Sequence, residues 1–173
     1  MKIVKWGMFV IIILFLGWLG TKTILNKKNV LSPIDNRDHI IVKDKFSVLL
    51  PKDWQEIEPV ANGIVFSAQN LRNLKSNYHI TYDMVKDSYK NDYLTYIKQS
   101  IIKTSPQVQF LFENKNEIEA ELLQDKVVYK SLIKVFWGEN NEVYLLSFNS
   151  LQSDWETNKL IFDKVINSFE IKK

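Results

Sequence analysis

Between Glu117 and Phe169 the hydrophobic period changes once, from about 2 to about 3.6, which dictates strands first and a helix after them. Glu117, Glu119 and Glu121 alternate with Ile118, Ala120 and Leu122, the pattern of a strand with one wetter face. A two-residue turn at Gln124-Asp125 sets Glu119 opposite Lys130. A second turn at Asn140-Asn141 sets Ile133, Val135 and Trp137 opposite Phe148, Leu146 and Tyr144. The reverse face also carries Val128, Leu132, Phe136, Val143 and Leu145, so this part of the sheet is expected to be covered on both sides. Ser153-Asp154-Trp155-Glu156 reads as a capping box, and Trp155, Phe162, Val165, Ile166 and Phe169 form the buried stripe of the helix it starts. The fold class is therefore α+β, a mostly antiparallel sheet packed by helices.

The chain before this stretch extends the sheet. His39 to Lys43 and Lys45 to Leu50 are short β-prone runs about a turn at Lys43-Asp44, and Pro51 stops the second. Trp54 follows on the exit loop, where its ring caps the core and its N–H requires a partner. Asn62-Gly63 turns into a strand from Ile64 to Ala68, and Asn70 to Asn77 reads as a polar loop. From Tyr78 to Val85, Tyr78, Ile80, Tyr82 and Met84 share one face, and His79, Thr81 and Asp83 the other. Helical spacing from an N-cap at Asn91 to Lys103 places Tyr93, Leu94, Ile97 and Ile101 on one face; Ser105-Pro106 ends it, and a strand from Gln107 to Phe112 follows.

The N-terminus is different in kind. Trp6 to Thr21 is 16 residues without a charge, preceded by Lys2 and Lys5 and followed by Lys22, Lys27 and Lys28. At 1.5 Å per residue such a helix covers roughly 24 Å, and snorkelling of the flanking lysines brings it to the hydrocarbon thickness. Trp6, Phe9, Ile12, Phe15 and Trp18 are its apolar and interfacial anchors. A cleaved signal peptide is the competing reading, but the residues around Trp18 to Thr23 offer poor cleavage positions. The expected organisation is a signal anchor at 1–25, a polar tether at 26–38 and one domain at 39–173, exported across the cell membrane.

Charge narrows the partners. The 173-residue chain carries a formal +3, yet the first 29 residues hold five lysines and no acid, leaving 18 basic against 20 acidic residues for the domain. Such a domain lacks the basic footprint of nucleic-acid binding. With no cysteine, disulfides, thiolate metal sites and cysteine nucleophiles are excluded. No nucleophile elbow, phosphate loop or HExxH motif occurs, so no catalytic residue and no cofactor is assigned. The ligand candidates are His79 and Asp83, which project together from one strand, and Tyr82 and Tyr93, part of a tyrosine-rich region spanning Tyr78 to Tyr96. A polar strand face explains the first pair and core packing the tyrosines. Asp35, Asp38 and His39 read as solvated linker charge, and the three glutamates as a wet strand face.

Three segments carry a resemblance. FSVLLPKDW at Phe46 to Trp54, EVYLLSFNS at Glu142 to Ser150, and WETNKLIFDKVINSFEI at Trp155 to Ile171, with its Ser168-Phe169 ending, resemble the PsbP family, named for an extrinsic subunit of the photosynthetic oxygen-evolving complex. The likeness covers residues 39 to 171. It implies an α/β/α sandwich shared with a Ran-binding nuclear transport factor and with bacterial DcrB-like lipoproteins, and a non-catalytic role of binding or stabilising a protein partner. The N-terminal hydrophobic run, in place of a transit peptide, makes this chain look like a bacterial membrane-anchored relative. The alternative is a carrier of a small apolar ligand or metal ion in a cleft beside the first domain helix.

Overall fold

The computed structural model describes residues 37–59 and 61–172. Two sheets form. β1 (His39–Val42), β2 (Phe46–Leu50) and β10 (Glu170–Ile171) make a small one, in which β2 is central and pairs antiparallel to both neighbours. The large sheet has seven strands in the order β3-β4-β5-β9-β8-β7-β6, every pair antiparallel. Its members are β3 (Trp54–Glu56), β4 (Ile64–Asn70), β5 (Asn77–Met84), β6 (Gln109–Asn114), β7 (Glu117–Gln124), β8 (Val127–Trp137) and β9 (Glu142–Leu151). Two helices, α1 (Tyr93–Thr104) and α2 (Trp155–Ser168), complete the layers. The α+β class, a mostly antiparallel sheet packed by helices, is as the alternating pattern led us to expect.

One cluster of buried residues joins α2 and the small sheet to one side of the large sheet: Phe46, Val48 and Leu50 of β2, Phe162 and Val165 of α2, and Tyr78, Ile80, Leu146 and Phe148 between them. A second joins Tyr93, Leu94, Ile97 and Ile101 of α1 to Ile118, Ile133, Val135, Val143 and Leu145. The large sheet is thus apolar on both sides at its centre.

Both hairpin registers differ from the expected ones. The β7–β8 turn is Asp125-Lys126, with φ of 50° and 64°, so Glu121 faces Lys130 and Glu119 faces Leu132. Two consecutive left-handed residues make the hairpin turn whose twist suits the strands, and Asp accepts that conformation more readily than Gln124. The β8–β9 loop holds four residues, Gly138 to Asn141, closed by the Gly138 N–H donating to the Glu142 carbonyl at 2.9 Å, with Asn140 and Asn141 at φ of 52° and 68°. Consequently Ile133 faces Ser147, Val135 faces Leu145 and Trp137 faces Val143, while Leu132 faces Phe148. A one-residue slip exchanges the two faces of a strand, so this loop decides which residues meet each helix.

The caps also move. Asp92, not Asn91, precedes α1, and Asp154, not Ser153, precedes α2; neither side chain caps its helix. A 3-10 turn over Gln152–Asp154 has the Trp155 N–H bonded to the Gln152 carbonyl, which removes the need for a capping box. The Ser153 hydroxyl instead donates to Asp154 Oδ1 at 3.2 Å. β6 begins later than expected because the Val108 N–H closes a turn on the Ser105 carbonyl at 3.0 Å. Trp54 lies in β3, 1% exposed, and its Nε1 has no partner among the described residues. The expected anchor with Trp6, Phe9, Ile12, Phe15 and Trp18, and the tether up to residue 36, lie outside the described residues. Among the described residues no helix is long and apolar enough to cross a membrane.

Candidate functional site

Strand β5 distributes the candidate residues. Its alternation sends Tyr78, Ile80 and Tyr82 toward α2 and His79, Thr81 and Asp83 toward α1. Tyr82 is therefore separated from His79, Asp83 and Tyr93 by the thickness of the sheet, and the four do not converge. Its hydroxyl donates to Glu142 Oε1 at 2.9 Å, Lys45 Nζ reaches the same oxygen at 2.8 Å, and Lys45 Nζ lies 4.4 Å from the Tyr82 ring centroid. Glu142 and Tyr82 hold the Lys45 ammonium above its ordinary range, and Lys45 holds the Glu142 carboxyl below its own. This cluster ties the β1–β2 turn to the start of β9. Nor do the tyrosines line one cleft: Tyr78 is buried on the α2 side, its hydroxyl donating to the Leu49 carbonyl at 2.7 Å, and Tyr89 is 57% exposed.

On the α1 side, cross-strand pairing assembles a polar patch. Ser67 of β4 faces His79, and His79 faces Ser147 of β9. One row along, Asn77 faces Asn149, which faces Ser131 of β8. His79 Nδ1 and Ser67 Oγ are 2.9 Å apart; Asn149 Nδ2 donates to Asn77 Oδ1 at 2.9 Å, and Asn149 Oδ1 accepts from the Ser131 hydroxyl at 2.7 Å. Burial pushes the His79 pKa down to about 4, so the ring is neutral at pH 7. Thr81 Oγ1 and Ser147 Oγ, both buried, have no hydrogen-bond partner among the described residues.

Asp83 closes one end of this patch. It accepts the Met84 N–H at 2.7 Å and a hydrogen bond from the Tyr93 side chain of α1, while burial raises its pKa. Burial, with Asp83 adding to it, keeps the Tyr93 hydroxyl protonated. His79, Asp83 and Tyr93 are thus on one side as strand neighbours and helix partner, but among the described residues no three His, Asp or Glu side chains gather as metal ligands. Tyr93, Leu94, Ile97 and Ile101 of α1 pack in one cluster with Ile118, Ile133, Val135, Val143 and Leu145 of the sheet.

The glutamate row belongs to the other side. Glu117 pairs with Lys134 at 2.6 Å, Glu119 with Lys159 of α2 at 3.0 Å, and Glu121 accepts from Gln152 Nε2 at 3.4 Å. They are bridges between β7 and its neighbours rather than a free acidic row. Sequence reasoning missed the polar patch, although Ser147 and Asn149 interrupting the apolar run of β9 were the available signal.

The layer order, with a central antiparallel sheet between helices, is found in known structures. The chain is similar to the solution structure of cyanobacterial PsbP (CyanoP) from Synechocystis sp. PCC 6803, with a TM-score of 0.57 and 14% identity over 86% of this chain and 99% of that one. This is a PsbP-like fold. The yeast Saccharomyces cerevisiae Ran-binding protein Mog1p also resembles the PsbP-like domain, with a TM-score of 0.51 and 8% identity over 80% of this chain and 96% of that one. No model of a protein family and no curated protein matches the sequence. At these identities the similarity establishes the fold.

Proposed function

We propose that the PsbP-like domain is held at the cell membrane by residues 1–25, lies outside the cytoplasm, and acts without catalysis by binding or stabilising a protein partner. The observation that carries the partner is the edge of the large sheet. β6 is its last strand, and Leu111 and Phe112 there are 42% and 48% exposed. An unpaired edge strand offers free backbone donors and acceptors, and apolar side chains beside them favour addition of an extended segment from another protein. The Ran-binding role named for Mog1p, on a similar fold, supports protein binding as a use of this architecture.

A photoactivatable crosslinker at Phe112 in the full chain is expected to capture a reproducible partner in cells, and one at Leu160, exposed on α2, is not. Equal products from both positions, or none from either, sink the partner. Carbonate extraction with protease protection tests the anchor and its orientation: release of the chain, or a domain shielded in intact cells, overturns that part.

A further inference from the structure

We infer that Met84 is a site of oxidation by peroxide, and that its sulfoxide competes with Glu142 for the Tyr82 hydroxyl, loosening the tie between the β1–β2 turn and β9. Met84, the last residue of β5, is 55% exposed, so small oxidants reach its sulfur. It is the one methionine among the described residues; the other two, Met1 and Met8, lie outside them. Its N–H donates to Asp83 Oδ1 at 2.7 Å, and its partner across the strands is Glu142. Exposure alone makes a methionine oxidisable; these neighbours give the oxidation a structural consequence.

The Tyr82 hydroxyl lies 3.1 Å from Met84 Sδ and 2.9 Å from Glu142 Oε1. It carries one hydrogen and serves one of these acceptors at a time. A thioether is a weak acceptor and an ionised carboxylate a strong one, so with the sulfur reduced the hydrogen goes to Glu142. Lys45 Nζ completes the cluster, 3.1 Å from the Tyr82 hydroxyl oxygen and 2.8 Å from Glu142 Oε1. The Lys45 carbonyl accepts the Lys172 N–H at 2.9 Å, just beyond β10. The start of β2, the end of β5, the start of β9 and the chain after β10 therefore meet beside one oxidisable sulfur.

In the oxidation a lone pair of Sδ bonds to one oxygen of hydrogen peroxide and the O–O bond breaks. The second oxygen leaves as hydroxide and collects the proton of the transferred oxygen, giving water. The sulfur is oxidised by two electrons and the peroxide is reduced by two. The product turns an apolar side chain into a polar one whose oxygen accepts hydrogen bonds far better than the thioether did. Glu142 keeps Lys45 on the same oxygen, so the Tyr82 hydrogen can leave it without baring an unpaired carboxylate. The site is separate from the β6 edge and depends on neither a docked protein nor an anchor.

The test treats the isotope-labelled full chain in detergent micelles with dilute hydrogen peroxide, maps added oxygen by peptide mass, and follows the Glu142 carboxyl titration by NMR. Oxygen is expected on Met84, with the Glu142 titration moved to higher pH, and methionine sulfoxide reductases should reverse both. Met84→Leu should abolish the shift while Met1 and Met8 stay oxidisable. Tyr82→Phe should raise the Glu142 titration beforehand and remove its response to peroxide; if that variant does not fold, the parent and Met84→Leu decide. The inference is overturned by a Met84 left intact at a peroxide dose that oxidises free methionine, or by a Glu142 titration that oxidation does not move. A response retained in Met84→Leu or in Tyr82→Phe overturns it as well.

Discussion

The two sides of the large sheet are packed by different means. Toward α2 the interior is aromatic and mutually braced: Phe162 lies 4.6 Å from Phe148 and 6.1 Å from Trp54 between ring centroids, and Asn158 with Ser76 and Ser150 closes a polar network inside it. Toward α1 aliphatic residues dominate, and they stop short of the strip from Asn77 to Thr81, where the side chains are polar and two hydroxyls are unmet. Neither side is complete as folded: Trp54 Nε1 and the Tyr144 hydroxyl, in the α2-side cluster, are buried without a partner among the described residues. The difference teaches that the chain gathers its polar groups in two ways, into a closed network beneath α2 and into a cross-strand row on the opposite face.

The comparison is broken most severely by Phe162→Ala, which removes the ring joining Trp54, Phe148 and Trp155. A loss of about 3–5 kcal/mol is expected in chemical denaturation; a loss near zero would mean the α2 side is not the stabilising half. Acid comes next. His79 has its folded pKa lowered to about 4 from an ordinary value of 6.5, so the unfolded chain takes up the proton first. The stability it helps maintain is full above about pH 6.5 and falls as the pH drops toward 4, by on the order of 3 kcal/mol in total. Denaturation curves of His79→Gln and the parent across that window should differ in slope, the parent being the steeper.

Asn158→Ala opens the satisfied network and should cost about 1–3 kcal/mol, because the Ser76 and Ser150 hydroxyls lose their donor. Lys159→Gln breaks the half-exposed pair with Glu119, and a change below about 1 kcal/mol is expected, smaller still in high salt. Smallest of all is Ser147→Ala: its hydroxyl has no partner to lose, so thermal denaturation should place it within about 0.5 kcal/mol of the parent. If Ser147→Ala proves as costly as Asn158→Ala, the contrast between the two sides disappears.

Much of this was legible in the residues. Period-two alternation located the longer strands but not the short β3 and β10, and period-3.6 spacing located both helices and their buried faces, because each depends only on which side chains one element turns to its neighbours. The split of β5, with Tyr78 on one face and His79 on the other, was equally readable and correct. Register was not. Whether Gln124-Asp125 or Asp125-Lys126 makes the turn, and whether the β8–β9 loop holds two residues or four, depends on left-handed backbone at Asp125, Lys126, Asn140 and Asn141, which pattern alone does not resolve.

Register in turn decides partners. His79 meets Ser67 on one side and Ser147 on the other, Glu119 meets Lys159, and Asn158 meets Ser76 because strands and helices far apart in sequence are brought into line. The sequence by itself determined the fold class, the two-sided sheet and the face each β5 residue occupies, since these are local consequences of side-chain period. Only the tertiary structure decided that the polar residues of β4, β5, β8 and β9 form one patch with two unmet hydroxyls, since hydrogen bonding depends on distances between strands that no local pattern contains.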